Sequence, residues 1–133
     1  MTAEEADPPL VLADTSAWIS CARFGDPVLE GLLNARRVIG HGVVTGELSL
    51  GCGSTASRLA MTSAALPQAP DLDHATVRRV VQGNALACHG LSWSDAILIA
   101  SALAAVESGT ALAIYTHDRT LAREASRLGV GWG

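Results

Sequence analysis

The sequence predicts a single α/β domain, and three observations predict it. Short apolar runs alternate with longer helix-patterned segments, the arrangement of strands that cross over through helices rather than of a helical bundle. The first such run, Leu10-Val11-Leu12-Ala13, has no polar position, as expected of a strand covered on both faces, and it stops at Asp14. The chain has 133 residues and is 49% hydrophobic, enough to bury one core of ordinary size.

The first nine residues, rich in acid and ending in Pro8-Pro9, read as a flexible segment, and the domain is placed at 10–133. Glu4, Glu5 and Asp7 stand where a secretory signal needs positive charge, and no apolar run reaches membrane length. A soluble, cytoplasmic protein with no membrane partner is expected. After the strand at 10–13, residues 16–24 predict a short helix ended by Gly25-Asp26-Pro27. Pro27 suits the first turn of the next helix, with Asp26 as its cap and Val28, Leu29, Leu32 and Leu33 on one face. A short second strand is predicted at 38–41, followed by Val43–Gly51 with Glu47 in its middle. Ser54 and Thr55 are placed to cap a helix over 56–66, which Pro67 and Pro70 break.

Asp73 opens a helix predicted to reach His89, with Gly90 terminating it. The segment Ala96–Val106 is apolar nearly all round and predicts the most buried helix, with Asp95 at its head. A strand at 111–115, the turn Thr116-His117-Asp118, a helix over 119–128 and a last edge strand at 130–132 complete the chain. No internal repeat or low-complexity segment interrupts it.

Composition removes several function classes. Cys21, Cys52 and Cys88 are an odd number without short pairing, so neither a disulfide framework nor a zinc site is indicated. His41, His74, His89 and His117 show no metal-binding spacing; His117 alone lies near other candidates and reads as a loop residue. All nine basic residues are arginine, which excludes a phosphate loop with its lysine and counts against phospho-aspartate chemistry. The formal charge of −4 is unfavourable for a nucleic-acid partner. If four carboxylates hold a cation, however, nine acidic residues remain against nine arginines, so net charge does not decide the matter.

Asp14, Glu47, Asp95 and Asp118 all fall at predicted helix beginnings. Each therefore has an ordinary structural explanation as a cap or first-turn acid, and Ser92-Trp93-Ser94-Asp95 fits a capping box. Jointly they suggest more. Asp14, Glu47 and Asp95 lie in the most apolar stretches with no arginine within eight positions, so a compensating charge must come from elsewhere in the fold or from a bound cation. Asp14 and Asp118 follow two strands that a parallel sheet brings to one edge, where ligands bind in such folds. Four convergent oxygen ligands suit magnesium or manganese and the hydrolysis of a phosphodiester, with Thr15, Ser16 and Thr116 available to orient ligands or simply to make the turns.

The four segments LADTS with Asp14, VTGELSLG with Glu47, LSWSDAILIASAL with Asp95 and IYTHDRTL with Asp118 resemble, in this order, the PIN-domain ribonucleases. The resemblance is in particular to VapC-type toxins of bacterial toxin–antitoxin pairs, and it runs from about Leu10 to Val130. The resemblance implies a three-layer α/β/α fold with a central parallel sheet and a magnesium-dependent endoribonuclease. Asp14 and Asp95 match the positions most directly tied to the metal, and Glu47 and Asp118 the supporting acids of the catalytic quartet. It also implies an RNA substrate, a homodimer, and a cognate antitoxin lying over the active-site groove. Where the family often has another acid and an aromatic after the last aspartate, this chain has Arg119, Thr120 and Leu121, so no fifth acidic ligand is expected. Arg119 reads either as a surface residue or as a contact to a substrate phosphate. Two other readings stay open: a PIN-like module that binds RNA or protein without cutting, and a metal-dependent phosphoesterase with another substrate.

Overall fold

The computed structural model describes residues 8–133, so the expected flexible segment lies outside the described residues except for Pro8 and Pro9. Three strands, β1 (Leu10–Ala13), β2 (Val38–Ile39) and β3 (Leu112–Tyr115), form a parallel sheet in the order β2-β1-β3. The fully apolar first run is the central strand, and Val11 and Leu12 are completely buried. Ala13 pairs with Tyr115 in the β1–β3 register, which brings the residues that follow, Asp14 and Thr116, to the same sheet edge. Single parallel bridges extend both sides of the sheet, Gly40 to Gln68 and Ile114 to Gly131. Gly40 has to be a glycine, because a Cβ there would stand 2.5 Å from the Ser63 carbonyl oxygen and 2.6 Å from the Gln68 amide nitrogen.

Helices flank the sheet as α/β alternation requires: α1 (Thr15–Phe24), α2 (Pro27–Asn34), α3 (Gly42–Ser49), α4 (Gly53–Ala65), α5 (His74–Gly83), α6 (Trp93–Glu107) and α7 (Arg119–Arg127). The arrangement is consistent with three α/β/α layers. Asp26 caps α2 by accepting from the Val28 and Leu29 N–H groups, with Pro27 in the first turn. The reason α6 is apolar all round is that it is buried on two sides. Leu98, Ile99, Ala102 and Ala105 join the main core with the sheet, whereas Ala96, Ile97 and Ala100 pack with Val77 of α5 in a smaller one. None of the helices among the described residues is long and apolar enough to cross a membrane.

Several boundaries differ from the expectation, each for a local reason. The helix from Asp73 stops at Gly83 instead of continuing to His89, because Ala85 takes the left-handed conformation (φ 52°) and Leu86 N–H returns to the Val81 carbonyl. That is a Schellman ending with alanine where glycine is usual, and Arg127 from α7 binds the Asn84 carbonyl at 2.8 Å. Helix α4 begins at Gly53, three residues early, and Cys52 rather than Ser54 or Thr55 occupies its cap position without a side-chain bond. The last strand is reduced to the bridge at Gly131. Glu47 lies in the second turn of α3, so its reading as a first-turn acid does not hold.

Candidate active site

Each of the four acids arrives from a different element. Asp14 ends β1 and caps α1, where its Oδ1 accepts from Ala17 N–H at 2.9 Å. Asp118 follows β3 and caps α7 through Oδ1, which accepts from Leu121 N–H at 2.9 Å. Asp95 is the third residue of α6 and completes a reciprocal capping box, its Oδ2 accepting from Ser92 N–H while Ser92 Oγ accepts from Asp95 N–H, both at 3.1 Å. The capping roles of Asp14, Asp95 and Asp118 are therefore real, and they coexist with convergence. All four acids line one cleft of about 310 Å³, together with Thr15, Ser16, Gly90, Ser92, Ser94 and Leu98.

Hydroxyl groups tie the acids to one another. Thr116 donates to Asp14 Oδ2 at 2.6 Å, and Ser16 donates to the same carboxylate at 2.8 Å. Thr116 Oγ1 in turn accepts from Asp118 N–H at 2.9 Å, so one hydroxyl joins the ends of the two strands. Thr15 donates to Glu47 Oε1 at 2.6 Å, fixing α3 against the head of α1. The small polar residues of the first and last motifs thus position the acids directly, one of the two roles the sequence left open for them.

Electrostatically the cleft is one-sided. Among the described residues, neither arginine nor histidine lines it, and none of the four acids takes part in an ion pair. The Asp95 carboxyl is pushed above its ordinary value, first by burial and further by the negative charges of Asp118 and Asp14, against the opposing hydrogen bonds from Ser92. Burial is uneven: Asp14 is 6% exposed and Asp95 half-buried, whereas Glu47 and Asp118 are exposed. The expected cost of unpaired burial therefore falls on Asp14 and Asp95 alone. As they stand, no three Asp, Glu, His or Cys side chains among the described residues form a group that can hold a metal ion. The donor set is all oxygen and suits a hard cation, which requires the carboxylates to draw closer.

Two features beside the cleft escaped the sequence reading. Asp26, buried at the head of α2, accepts the Tyr115 hydroxyl at 2.6 Å and contacts His117 Nε2 at 3.2 Å through Oδ2. His117 thus belongs to this network, behind the strand end, and not to the cleft. Glu124, buried on α7, binds Arg127 at 2.9 Å and faces His89 at 3.8 Å. Both are contacts between residues tens of positions apart in the chain, apart from the local Glu124–Arg127 pair, and no local motif announces them. Arg119 is exposed next to Asp118. No protein-family model matches the chain, and no curated protein matches it at a significant level.

Proposed function

We propose that the chain is a magnesium-dependent endoribonuclease of the PIN-domain type, acting as a VapC-like toxin that a cognate antitoxin neutralises. The observation that carries the reading is the cleft at the sheet edge. It gathers Asp14, Glu47, Asp95 and Asp118 from four separate segments and has no cationic side chain in its lining among the described residues. A cluster of this charge needs a counter-ion, and phosphodiester hydrolysis is the chemistry that such a cluster with magnesium performs. When bound, magnesium or manganese supplies charge to the phosphate and acidifies a water.

The residues divide the remaining work. Asp14 and Asp95, the two acids withdrawn from solvent, would hold the cation, and Glu47 and Asp118 would support it from the rim. One of the rim acids takes the proton from the attacking water. Thr116 and Ser16 fix the Asp14 carboxylate, and Thr15 fixes Glu47, so the acids are oriented before substrate arrives. The exposure of Arg119 beside Asp118 supports a contact to an RNA phosphate. An apolar hollow of about 220 Å³ lined by Ile19, Ala22, Leu48 and Leu59 adjoins Glu47 and supports a seat for the antitoxin. The exposed side chains of Phe24, Leu50 and Met61 support a further protein contact such as a homodimer.

The test is RNA cleavage by purified protein with magnesium and with EDTA, alongside Asp95→Asn. Cleavage that requires both metal and Asp95 is the expected result, and equal cleavage by Asp95→Asn refutes the assignment. A second reading, a PIN-like module that binds RNA or protein without cutting, is favoured by the fact that no three of the side chains form a ligating group as they stand. Magnesium-dependent cleavage separates the two, because both readings share the carboxylate cluster and only one of them cuts.

A further inference from the structure

A second hollow, of about 200 Å³, lies against the carboxylate cleft and shares Gly90 and Ser92 with it. Its walls are apolar: Val81 near the end of α5, Leu86 and Leu91 in the loop that follows, and Trp93 and Ala96 of α6. Trp93 is 41% exposed although it lies inside the capping box, between Ser92 and Asp95. His74 meets its indole edge-on at 5.5 Å, which braces the ring from the α5 side. The loop that forms the outer wall is held in shape. Ala85, Cys88 and Gly90 all have positive φ, Arg127 binds the Asn84 carbonyl, and His89 faces Glu124.

We infer that this hollow is a nucleobase subsite, taking one unpaired base of a single-stranded RNA next to the phosphodiester in the carboxylate cleft, with Trp93 as the stacking platform. The inference rests on the RNA reading of the cleft, but on RNA binding and not on cleavage. Three observations favour a base over a protein side chain. The hollow adjoins the cleft, with Gly90 and Ser92 lining both, so a chain with its phosphate in the cleft has its neighbouring base within reach of this mouth. It presents a part-exposed indole with an apolar floor, and stacking on an aromatic ring is how single strands are held without regard to sequence. It also lies beside positive charge that the cleft itself lacks. A Cβ on Gly90 would reach Thr120 at 4.0 Å, which places the loop against the start of α7, whose Arg119 and, one turn on, Arg123 are exposed, Arg123 with its Nε 3.6 Å from the Glu124 carboxylate. Arg119, which is in no ion pair among the described residues, is available for a phosphate contact beside a bound base.

The experiment measures binding of two fluorescein-labelled probes with calcium in place of magnesium. One is a random-sequence 12-nucleotide RNA and the other an abasic ribose-phosphate 12-mer. Wild type, Trp93→Ala and Trp93→Phe are compared, and magnesium-dependent cleavage is assayed separately. Wild type is expected to prefer the base-bearing probe, Trp93→Ala to lose about five- to a hundredfold in RNA affinity and with it that preference, and Trp93→Phe to keep both within about threefold. Wild type that does not distinguish the probes, or binds neither, overturns the subsite, and that result does not depend on whether a variant folds. Trp93→Ala that binds RNA with its preference intact also overturns it and leaves the hollow to a protein segment. Cleavage by wild type without base preference refutes the subsite alone; base preference that Trp93→Ala loses, without cleavage, refutes the nuclease reading alone.

Discussion

Replacing Tyr115 by phenylalanine deletes one hydroxyl from the network behind the strand end, and its cost can be worked out. The Tyr115–Asp26 bond, at 2.6 Å between buried groups, is in the range of a hydroxyl donating to a carboxylate. Bonds to charged groups contribute about 1.5–3 kcal/mol. Asp26 Oδ2 keeps His117 at 3.2 Å and Oδ1 keeps two backbone N–H groups, so the carboxylate is not orphaned and the lower end applies, about 1.5 kcal/mol. For a domain of this size that lowers Tm by about 5 °C. Asp26→Asn retains the helix cap but loses the charge, and the double variant should show a coupling of about 1 kcal/mol in urea unfolding. Additivity within about 0.3 kcal/mol, or a Tyr115→Phe melt within about 1 °C of wild type, refutes the reasoning. The same network sets a pH dependence. Burial alone raises the Asp26 carboxyl, but the hydrogen bonds from Tyr115, Leu29 N–H and His117 outweigh it and hold it below its ordinary value. A lowered folded pKa gives stability that is present above the unfolded value, near ~3.9, and lost as pH falls through the folded one. Asp26→Asn should therefore flatten the acid end of the stability profile below about pH 4 and leave its neutral part parallel to wild type.

Other outcomes follow from the cleft and the helix ends. Asp95 has a raised folded pKa, so its contribution to stability is present below the unfolded value and lost as pH rises through the folded one. Asp95→Asn should consequently melt higher than wild type at pH 7, converge with it near about pH 3, and cleave no RNA; a lower Tm at pH 7 contradicts the assignment of strain. Thr116→Val removes the hydroxyl between Asp14 and Asp118 and should lower the apparent magnesium affinity in cleavage assays by several-fold, with unchanged affinity ruling out its orienting role. Ala85→Gly and Arg36→Gly each relieve a left-handed residue at a helix end and should stabilise by up to about 1 kcal/mol in thermal melts, whereas destabilisation by either shows that the strain is offset elsewhere.

What the sequence made legible was whatever is decided within a few residues. The central strand was readable because four apolar positions run into Asp14, and α2 because Asp26 and Pro27 are neighbours. The head of α6 was readable because a capping box spans four consecutive residues. The membership of the cleft was readable only as a joint pattern, four acids in motifs that a parallel sheet can bring together. The end of α5 was not readable, since alanine at a left-handed position carries no signal and the group that binds the freed Asn84 carbonyl, Arg127, is 43 residues away. Glu47 was placed too early in its helix because nothing around Val43 to Gly51 marks where α3 begins; His41 supplies the cap, through an Nδ1 that accepts from Val43 N–H. The Asp26–Tyr115 pair, 89 residues apart, is fixed by the β1–β3 register and by the placing of α2, neither of which a local motif encodes.

Helix α7 is nine residues long, about 13 Å from end to end. Its first turn is capped by Asp118, a rim acid of the cleft, and its last residue, Arg127, grips the Asn84 carbonyl at the foot of the outer loop. The helix is in effect a short lever whose two arms end on different binding surfaces. Any coupling this rod carries between a ligand at Asp118 and an occupant of the hollow is reciprocal, each changing the other's affinity by the same factor.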